Sequence, residues 1–427
     1  MAGVFVRGLF MVDARSTRRG LFLVFMIMFL DVIGIAIVVP VLPTYLHELT
    51  GDDISQAAID GGWLLLVYAG MQFLFAPLIG NLSDRFGRRP VLLACILTFA
   101  IDNLICALAT SYWMLFAGRV LAGISGASFS TAAAFIADVS DDETRAKNFG
   151  LMGIAFGTGF VIGPVIGGVL GEFGPRIPFY GAAAIAFLNF VAACILLPES
   201  LAPKNRRRFE LARANPLGAL LQMRNHPGVL WVGVVLFCYG LAHAVYPAVW
   251  PFVAALRYGW SEGQIGLSLG VFGIGGALVM GFVLPRIVPK IGEYRTAVVG
   301  ICFSVLGLCG YAAAWQGWMV YVVIVLTALE SLADPPLRSI AAARVPPSAQ
   351  GELQGALTSI SSITTVIGPL LFTQAFSYFT GPKAPVTFAG APYALAAAIL
   401  FIGLIVFITT LRGAGAGPKA KTAPETA

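Results

Sequence analysis

The run Gly80-Asn81-Leu82-Ser83-Asp84-Arg85-Phe86-Gly87-Arg88-Arg89-Pro90 joins two long apolar stretches. Its chemistry is that of a hinge between helices: Gly80 is expected to end one helix, Gly87 to permit a tight turn, and Pro90 to open the next. One acid, Asp84, is set among three arginines, Arg85, Arg88 and Arg89. Basic residues packed between apolar runs mark the cytoplasmic edge of a membrane protein.

The rest of the chain agrees. Of its 427 residues, 58% are hydrophobic and only 11% charged, with a mean hydropathy of +0.86. A soluble surface takes roughly 25% charged residues, so a cytosolic enzyme, a disordered chain and a secreted disulfide scaffold are excluded. The net charge is +6, and the basic residues fall between apolar runs, which points to membrane topology rather than to nucleic acid. All six cysteines lie within apolar runs without CxxC spacing, so they read as small buried hydrophobes and no metal site is expected. The apolar run from Leu21 to about Leu46 exceeds a signal-peptide core and reads as a first spanning helix.

Spanning helices need about 20 apolar residues each. Twelve such runs are present: about 21–46, 61–80, 91–109, 112–137, 149–171, 178–197, 228–254, 263–285, 296–314, 318–342, 353–379 and 390–411. The fold expected is an all-α membrane protein of twelve transmembrane helices. With a cytoplasmic N-terminus, 23 of the 27 Lys and Arg side chains lie on the cytoplasmic side and three (Arg176, Arg257, Lys383) outside. That asymmetry puts both termini in the cytoplasm. A hydrophilic break at 198–227 divides the runs six and six. The expected organisation is therefore 1–197 as an N-terminal half, 198–227 as a cytoplasmic connector, 228–412 as a C-terminal half and 413–427 as a flexible tail. The halves echo each other at an offset of 205: Ile162-Gly163-Pro164 recurs as Ile367-Gly368-Pro369, Gly150 as Gly355, and Arg85-Phe86-Gly87 as Lys290-Ile291-Gly292. Two six-helix repeats describe a secondary transporter with a site near the bilayer midplane.

The segment from Gly80 to Pro90 resembles the loop-2/3 signature of the major facilitator superfamily. Gly118-Arg119-Val120-Leu121-Ala122-Gly123-Ile124-Ser125-Gly126-Ala127 looks like the span-4 motif of that family, with its intramembrane arginine at Arg119. Gly159, Gly163, Pro164, Gly167 and Gly168 resemble its span-5 antiporter motif, which in the family accompanies export by exchange. Leu30-Asp31-Val32-Ile33-Gly34, Pro40-Val41-Leu42-Pro43, Ile136-Ala137-Asp138, Leu196-Leu197-Pro198-Glu199-Ser200 and the stretch from Gly351 to Phe372 are similar to the tetracycline efflux antiporters. The resemblance implies proton-coupled export of a small lipophilic drug, tetracycline-like or multidrug, from a bacterial cytoplasmic membrane. It implies protons as the coupling ion, no cofactor, no nucleic acid partner and a functional monomer in the lipid bilayer. It also implies that Asp84 faces the start of span 11, near Gly351 to Gly355.

Physics supplies independent candidates. A charge within a span costs about 2.5–3.5 kcal/mol on insertion scales and points to function. Asp31, Asp102, Arg119, Glu330 and Asp334 meet that test. Burial disfavours a charged carboxylate, so Asp31, near mid-depth in span 1, is suited to bind and release a proton. Asp102 matches an acidic position of the tetracycline exporters. Arg119 is expected to tune a nearby carboxylate, with Asp31 the candidate partner. Glu330 is expected as a second proton site or a substrate contact. Asp334, followed by Pro335-Pro336, is expected to line a cavity or cap a kink. His243 in span 7 could titrate, though a packing residue is the first reading.

Two positions depart from the exporters: their span-9 acid falls on Ser304 and their span-8 histidine near Gly276. A metabolite or sugar transporter on the same fold is the nearest rival, since fold does not settle function. The histidines His47, His226 and His243 are scattered, and no HExxH or Walker loop appears, so neither an enzyme nor direct drive by ATP is expected.

Overall fold

The structure is a computed structural model that describes residues 14–141, 143–207, 227–346 and 349–411. Most of the expected connector, the C-terminal tail and Arg7 lie outside the described residues. Eleven helical stretches are long and apolar enough to cross a membrane. One of them, Glu262–Ala313, has 52 residues. As one straight helix it would be about 78 Å long, more than twice a hydrocarbon core. It breaks at Gly292, whose φ of 80° and ψ of 163° are non-helical, and so comprises spans 8 and 9. Among the described residues the chain is helical with twelve spans.

The hinge at Gly87 has the same backbone geometry, φ 107° and ψ 157°. Gly87 and Gly292 are 205 residues apart, so the internal repeat is visible in the backbone. Both conformations lie where a Cβ is strained, which explains the glycines. Gly80 corrects one expectation. The helix Ile54–Phe86 runs through it and ends only at Gly87, while Pro90 sits in the first turn of Arg88–Ala107. Glycine costs a helix only about 1 kcal/mol, and residues 81–85 continue the helix.

The described residues cluster into two compact units, those within Met1–Pro216 and Ala254–Val271, and those within Leu217–Val253 and Phe272–Ala427. In the first unit, small residues set how closely helices approach. A Cβ on Gly159 would lie 2.9 Å from Val32 Cβ, and one on Gly163 would lie 2.7 Å from Ala36 Cβ. One on Gly167 would strike the Ile37 carbonyl. The span-5 glycines therefore form a seam that accepts the backbone of span 1, the small-residue packing expected in lipid. Between spans 1, 3 and 4, Val24, Ile27, Met28, Leu92, Ile96 and Phe135 make a buried apolar cluster.

The second unit repeats the device. A Cβ on Gly368, the counterpart of Gly163, would strike Ala244 of span 7. Span 9 lies against span 10 through Gly300, whose added Cβ would sit 2.5 Å from Ala333 N, and through Gly307, whose Cβ would strike Thr327. Span 10 is not one helix. A 3-10 segment, Ala328–Leu332, separates Gly317–Thr327 from Asp334–Ala342. Span 8 carries a π-helical segment, Val279–Val283, and Val279 packs with Ala328 and Leu332. Such irregular turns inside helices often mark functional positions.

Of the cysteines, Cys95, Cys106 and Cys238 are buried as expected, whereas Cys309 is exposed. An apolar run that faces lipid need not be buried in protein.

Candidate functional site

Each unit holds one buried cluster of ionisable side chains at mid-span. In the first unit, Asp31 lies on span 1 beside the seam made by Gly159 and Gly163, and is 6% exposed. Span 4 breaks between its two helices, Tyr112–Ser125 and Ser128–Asp138. Ser128 opens the second of them and donates to Asp31 Oδ2 at 3.4 Å. Asp31 Oδ1 is buried without a hydrogen-bond partner among the described residues. Among the described residues this carboxyl group thus has a single long hydrogen bond and no ion-pair partner.

Asp102 is fully buried on span 3 and meets Arg119 Nη2 of span 4 at 3.3 Å. The same nitrogen lies 3.2 Å from Cys106 Sγ, and the guanidinium lies over the Phe179 ring at 5.8 Å. Gly118 permits this approach, because a Cβ there would strike Cys106. Arg119 therefore pairs with Asp102 and not with Asp31, the partner suggested by sequence. Helix periodicity places 102 and 119 on facing sides of adjacent spans, a relation that linear spacing does not reveal.

In the second unit, Glu330 lies in the 3-10 segment of span 10 and is 4% exposed. Its Oε2 accepts from Tyr246 Oη at 3.1 Å and from Ser304 Oγ at 3.0 Å, and lies 3.3 Å from His243 Nε2. Tyr239 donates to the Glu330 carbonyl at 3.3 Å and stacks on His243, ring centroids 3.9 Å apart. His243 is thus part of the cluster and not mere packing. Tyr246, Tyr311 and Tyr393 extend an aromatic wall from it. Asp334 begins the next helix and pairs with Arg338 at 2.7 Å, which answers its open reading with an ion pair.

The hinge residues form a third cluster, held at the end of span 2. Arg88 bonds Asp84 at 2.5 Å, Ser83 at 2.7 Å and Asp138 at 3.0 Å. The Arg88 amide donates to Glu199 Oε1 at 2.9 Å, and Ser200 donates to Asp138 at 3.0 Å. Arg89 reaches the Cys194 carbonyl at 2.7 Å. A Cβ on Gly87 would strike Glu199. Residues 138, 199 and 200 carried the family likeness without an assigned role; here they hold Arg88. Arg85 lies over the neighbouring Phe86 ring at 5.1 Å.

Outside the spans, Glu172 accepts from the Gly263 amide at 2.9 Å. Hydrogen bonds from Ser261 and from that amide hold its carboxyl below the ordinary range. Among the described residues no group of three or more His, Cys, Asp or Glu side chains is placed to hold a metal ion.

Ser128, Tyr246 and Tyr239 went unremarked in the sequence. Hydroxyl groups are common in apolar helices, and only the packing singles these out.

Comparison with known proteins places this geometry. The Major Facilitator Superfamily model matches residues 24–369 and 232–426. The class C tetracycline resistance protein of Escherichia coli is 41% identical over 348 residues, covering 82% of this chain and 87% of the relative. The class B protein of Escherichia coli is 35% identical over 82% of this chain and 86% of its own. Among solved structures, a bacterial homologue of the human lysosomal transporter Spinster superposes with a TM-score of 0.73 at 16% identity, covering 93% of this chain and 98% of its own. Twelve spans in two repeats, a hinge built on Arg88 and this identity lead to one conclusion: the chain belongs to the Major Facilitator Superfamily and, within it, to the family of the tetracycline resistance proteins.

Proposed function

We propose that the protein exports a small lipophilic drug, tetracycline-like or multidrug, in exchange for protons by alternating access. The observation that carries this reading is Asp31: a buried mid-membrane carboxyl group with one 3.4 Å hydrogen bond and an oxygen without a partner among the described residues. A buried charge without a partner is costly, so this group favours its protonated form until water or a drug reaches it. Asp31 is the proton carrier. Asp102, neutralised by Arg119, supplies a fixed dipole beside it. Glu330 is the ionisable group of the second unit. The hinge residues Asp84, Arg85, Arg88 and Arg89 act as the cytoplasmic latch, and the span-5 residues Gly159, Gly163, Pro164, Gly167 and Gly168 provide the close seam that seats Asp31. Names among the relatives support a drug as cargo: tetracycline resistance proteins, and a quinolone resistance protein of Staphylococcus aureus at 25% identity over 84% of this chain.

The setting is the bacterial cytoplasmic membrane with both termini inside, and the unit of function is the monomer. Each proton entering down 100 mV releases about 2.3 kcal/mol, enough for a drug gradient of about fiftyfold. Proton flux in inverted vesicles on addition of tetracycline and a panel of lipophilic drugs tests the reading. Proton release on addition of at least one drug supports it. Silence with every drug, beside transport of a sugar or metabolite, overturns it.

A further inference from the structure

The function proposed above assigns no work to His243, yet the hydrogen bonds around it are specific. Its Nδ1 lies 2.8 Å from the Tyr239 carbonyl oxygen. A carbonyl oxygen only accepts, so Nδ1 carries a hydrogen. In a neutral imidazole Nε2 is then a bare acceptor. Nε2 nevertheless faces Glu330 Oε2 at 3.3 Å and Ser304 Oγ at 3.5 Å. Ser304 directs its one hydroxyl hydrogen to Glu330, so it offers Nε2 only a lone pair. Glu330 Oε2 already accepts from two hydroxyl groups, so it too turns acceptor lone pairs toward Nε2. Acceptor faces acceptor unless a hydrogen lies between them, and in a buried site that opposition is strongly unfavourable.

We propose that His243 and Glu330 form a proton-binding dyad that holds one exchangeable proton between Nε2 and Oε2, a second proton site separate from Asp31. The loaded dyad is an imidazolium and a carboxylate with no net charge. Release of H+ from Nε2 to water leaves a neutral imidazole and a carboxylate, net charge −1; uptake of H+ restores the pair. The His243 side chain is 21% exposed and that of Glu330 only 5%, so the proton enters and leaves through the imidazole. Glu330 stands in the 3-10 segment that packs on the π segment of span 8. Loading and release therefore act where both helices are already irregular.

The surrounding groups do not compete. Tyr239 and Tyr246 of span 7, Tyr311 of span 9 and Tyr393 of span 12 are phenols that stay protonated near neutrality. Asp334 is neutralised by Arg338. The Ser304 hydroxyl donates its hydrogen to Glu330 without ionising near neutrality. What remains to titrate is the dyad.

The inference rests on proton-coupled export for its purpose, but its test need not. The chain has three histidines, so nitrogen-15 histidine spectra of the purified full chain in micelles are sparse, and His243→Gln assigns the signal. At pH 7 both ring nitrogens of His243 are expected to carry hydrogen, and in Glu330→Gln only Nδ1. A neutral His243 in the unmodified protein overturns the dyad, and that measurement needs no variant to fold beyond the one used for assignment. Glu330→Asp, which keeps a carboxylate, is expected to retain the imidazolium. In proteoliposomes with tetracycline as probe, the half-maximal pH of proton-driven flux is expected to move by about one unit or more in His243→Gln. An unmoved profile overturns the dyad, whereas a silent unmodified protein with an intact imidazolium overturns the export reading alone.

Discussion

Ser304 on span 9 donates its hydroxyl hydrogen to Glu330 on span 10 across 3.0 Å. The resemblance to the tetracycline exporters puts an acid at position 304, and the carboxylate here comes from the facing helix instead. Gly300 and Gly307 flank Ser304 one turn to each side and let the two spans touch. An acid can therefore change helix while staying in the same region of the unit. The Ser304–Glu330 hydrogen bond joins the two spans, and the first unit has its own buried carboxyl group at Asp31.

Asp31→Asn is expected to abolish uphill transport driven by a pH difference, by at least about tenfold or 1.4 kcal/mol, with little change in folding. Only one 3.4 Å hydrogen bond is altered, and an amide fills the same volume. Drug uptake into inverted vesicles, normalised to protein amount, measures it. Uphill transport at the unmodified rate removes Asp31 as the carrier.

Arg119→Met is expected to destabilise the protein by about 3–5 kcal/mol, because it leaves Asp102 buried without its cation. The double change Arg119→Met with Asp102→Leu should recover most of that stability and not the transport. Thermal unfolding in detergent beside vesicle transport separates the two. Recovery of both would make the pair purely structural.

Gly167→Ala places a methyl group against the Ile37 carbonyl and forces spans 1 and 5 apart. Overpacking of this kind costs about 1–3 kcal/mol. Gly157→Ala, where nothing lies within 4 Å of an added Cβ, is the silent control on the same helix. Drug tolerance of cells expressing each variant, together with protein yield, reads the contrast; equal phenotypes would refute the seam.

Asp84→Asn is expected to cut transport more than it cuts expression. Arg88 keeps Ser83 and Asp138 as partners when Asp84 loses its charge, so folding survives while the latch weakens. Immunoblot and transport in the same membranes measure the ratio, and parallel losses would assign Asp84 a structural role.

The contact of Glu172 with Gly263 is expected to weaken in acid. Its folded carboxyl is held below its ordinary value by Ser261 and the Gly263 amide. Its stabilisation is therefore complete above the unfolded pKa of about 4.3 and is lost as pH falls through the lower folded value. Thermal unfolding between pH 3 and pH 7 should show that acid loss diminished in Glu172→Gln; identical curves would dismiss the contact.

Composition and periodicity alone determine that this chain is a bundle of apolar helices, because removing about 20 residues per span from water leaves no other way to satisfy the backbone. They also show the repeat, in the matches at an offset of 205, and they single out Asp31, Asp102, Arg119 and Glu330 as costly charges within spans. Pairing belongs to the tertiary structure. Arg119 meets Asp102 where Gly118 lets the neighbouring spans 3 and 4 approach, and His243 meets Glu330 between spans 7 and 10, which are remote in sequence. A histidine among 58% hydrophobic residues looks like packing until its two nitrogens have partners, because hydrogen-bond direction is a property of atoms in space and not of their order along the chain.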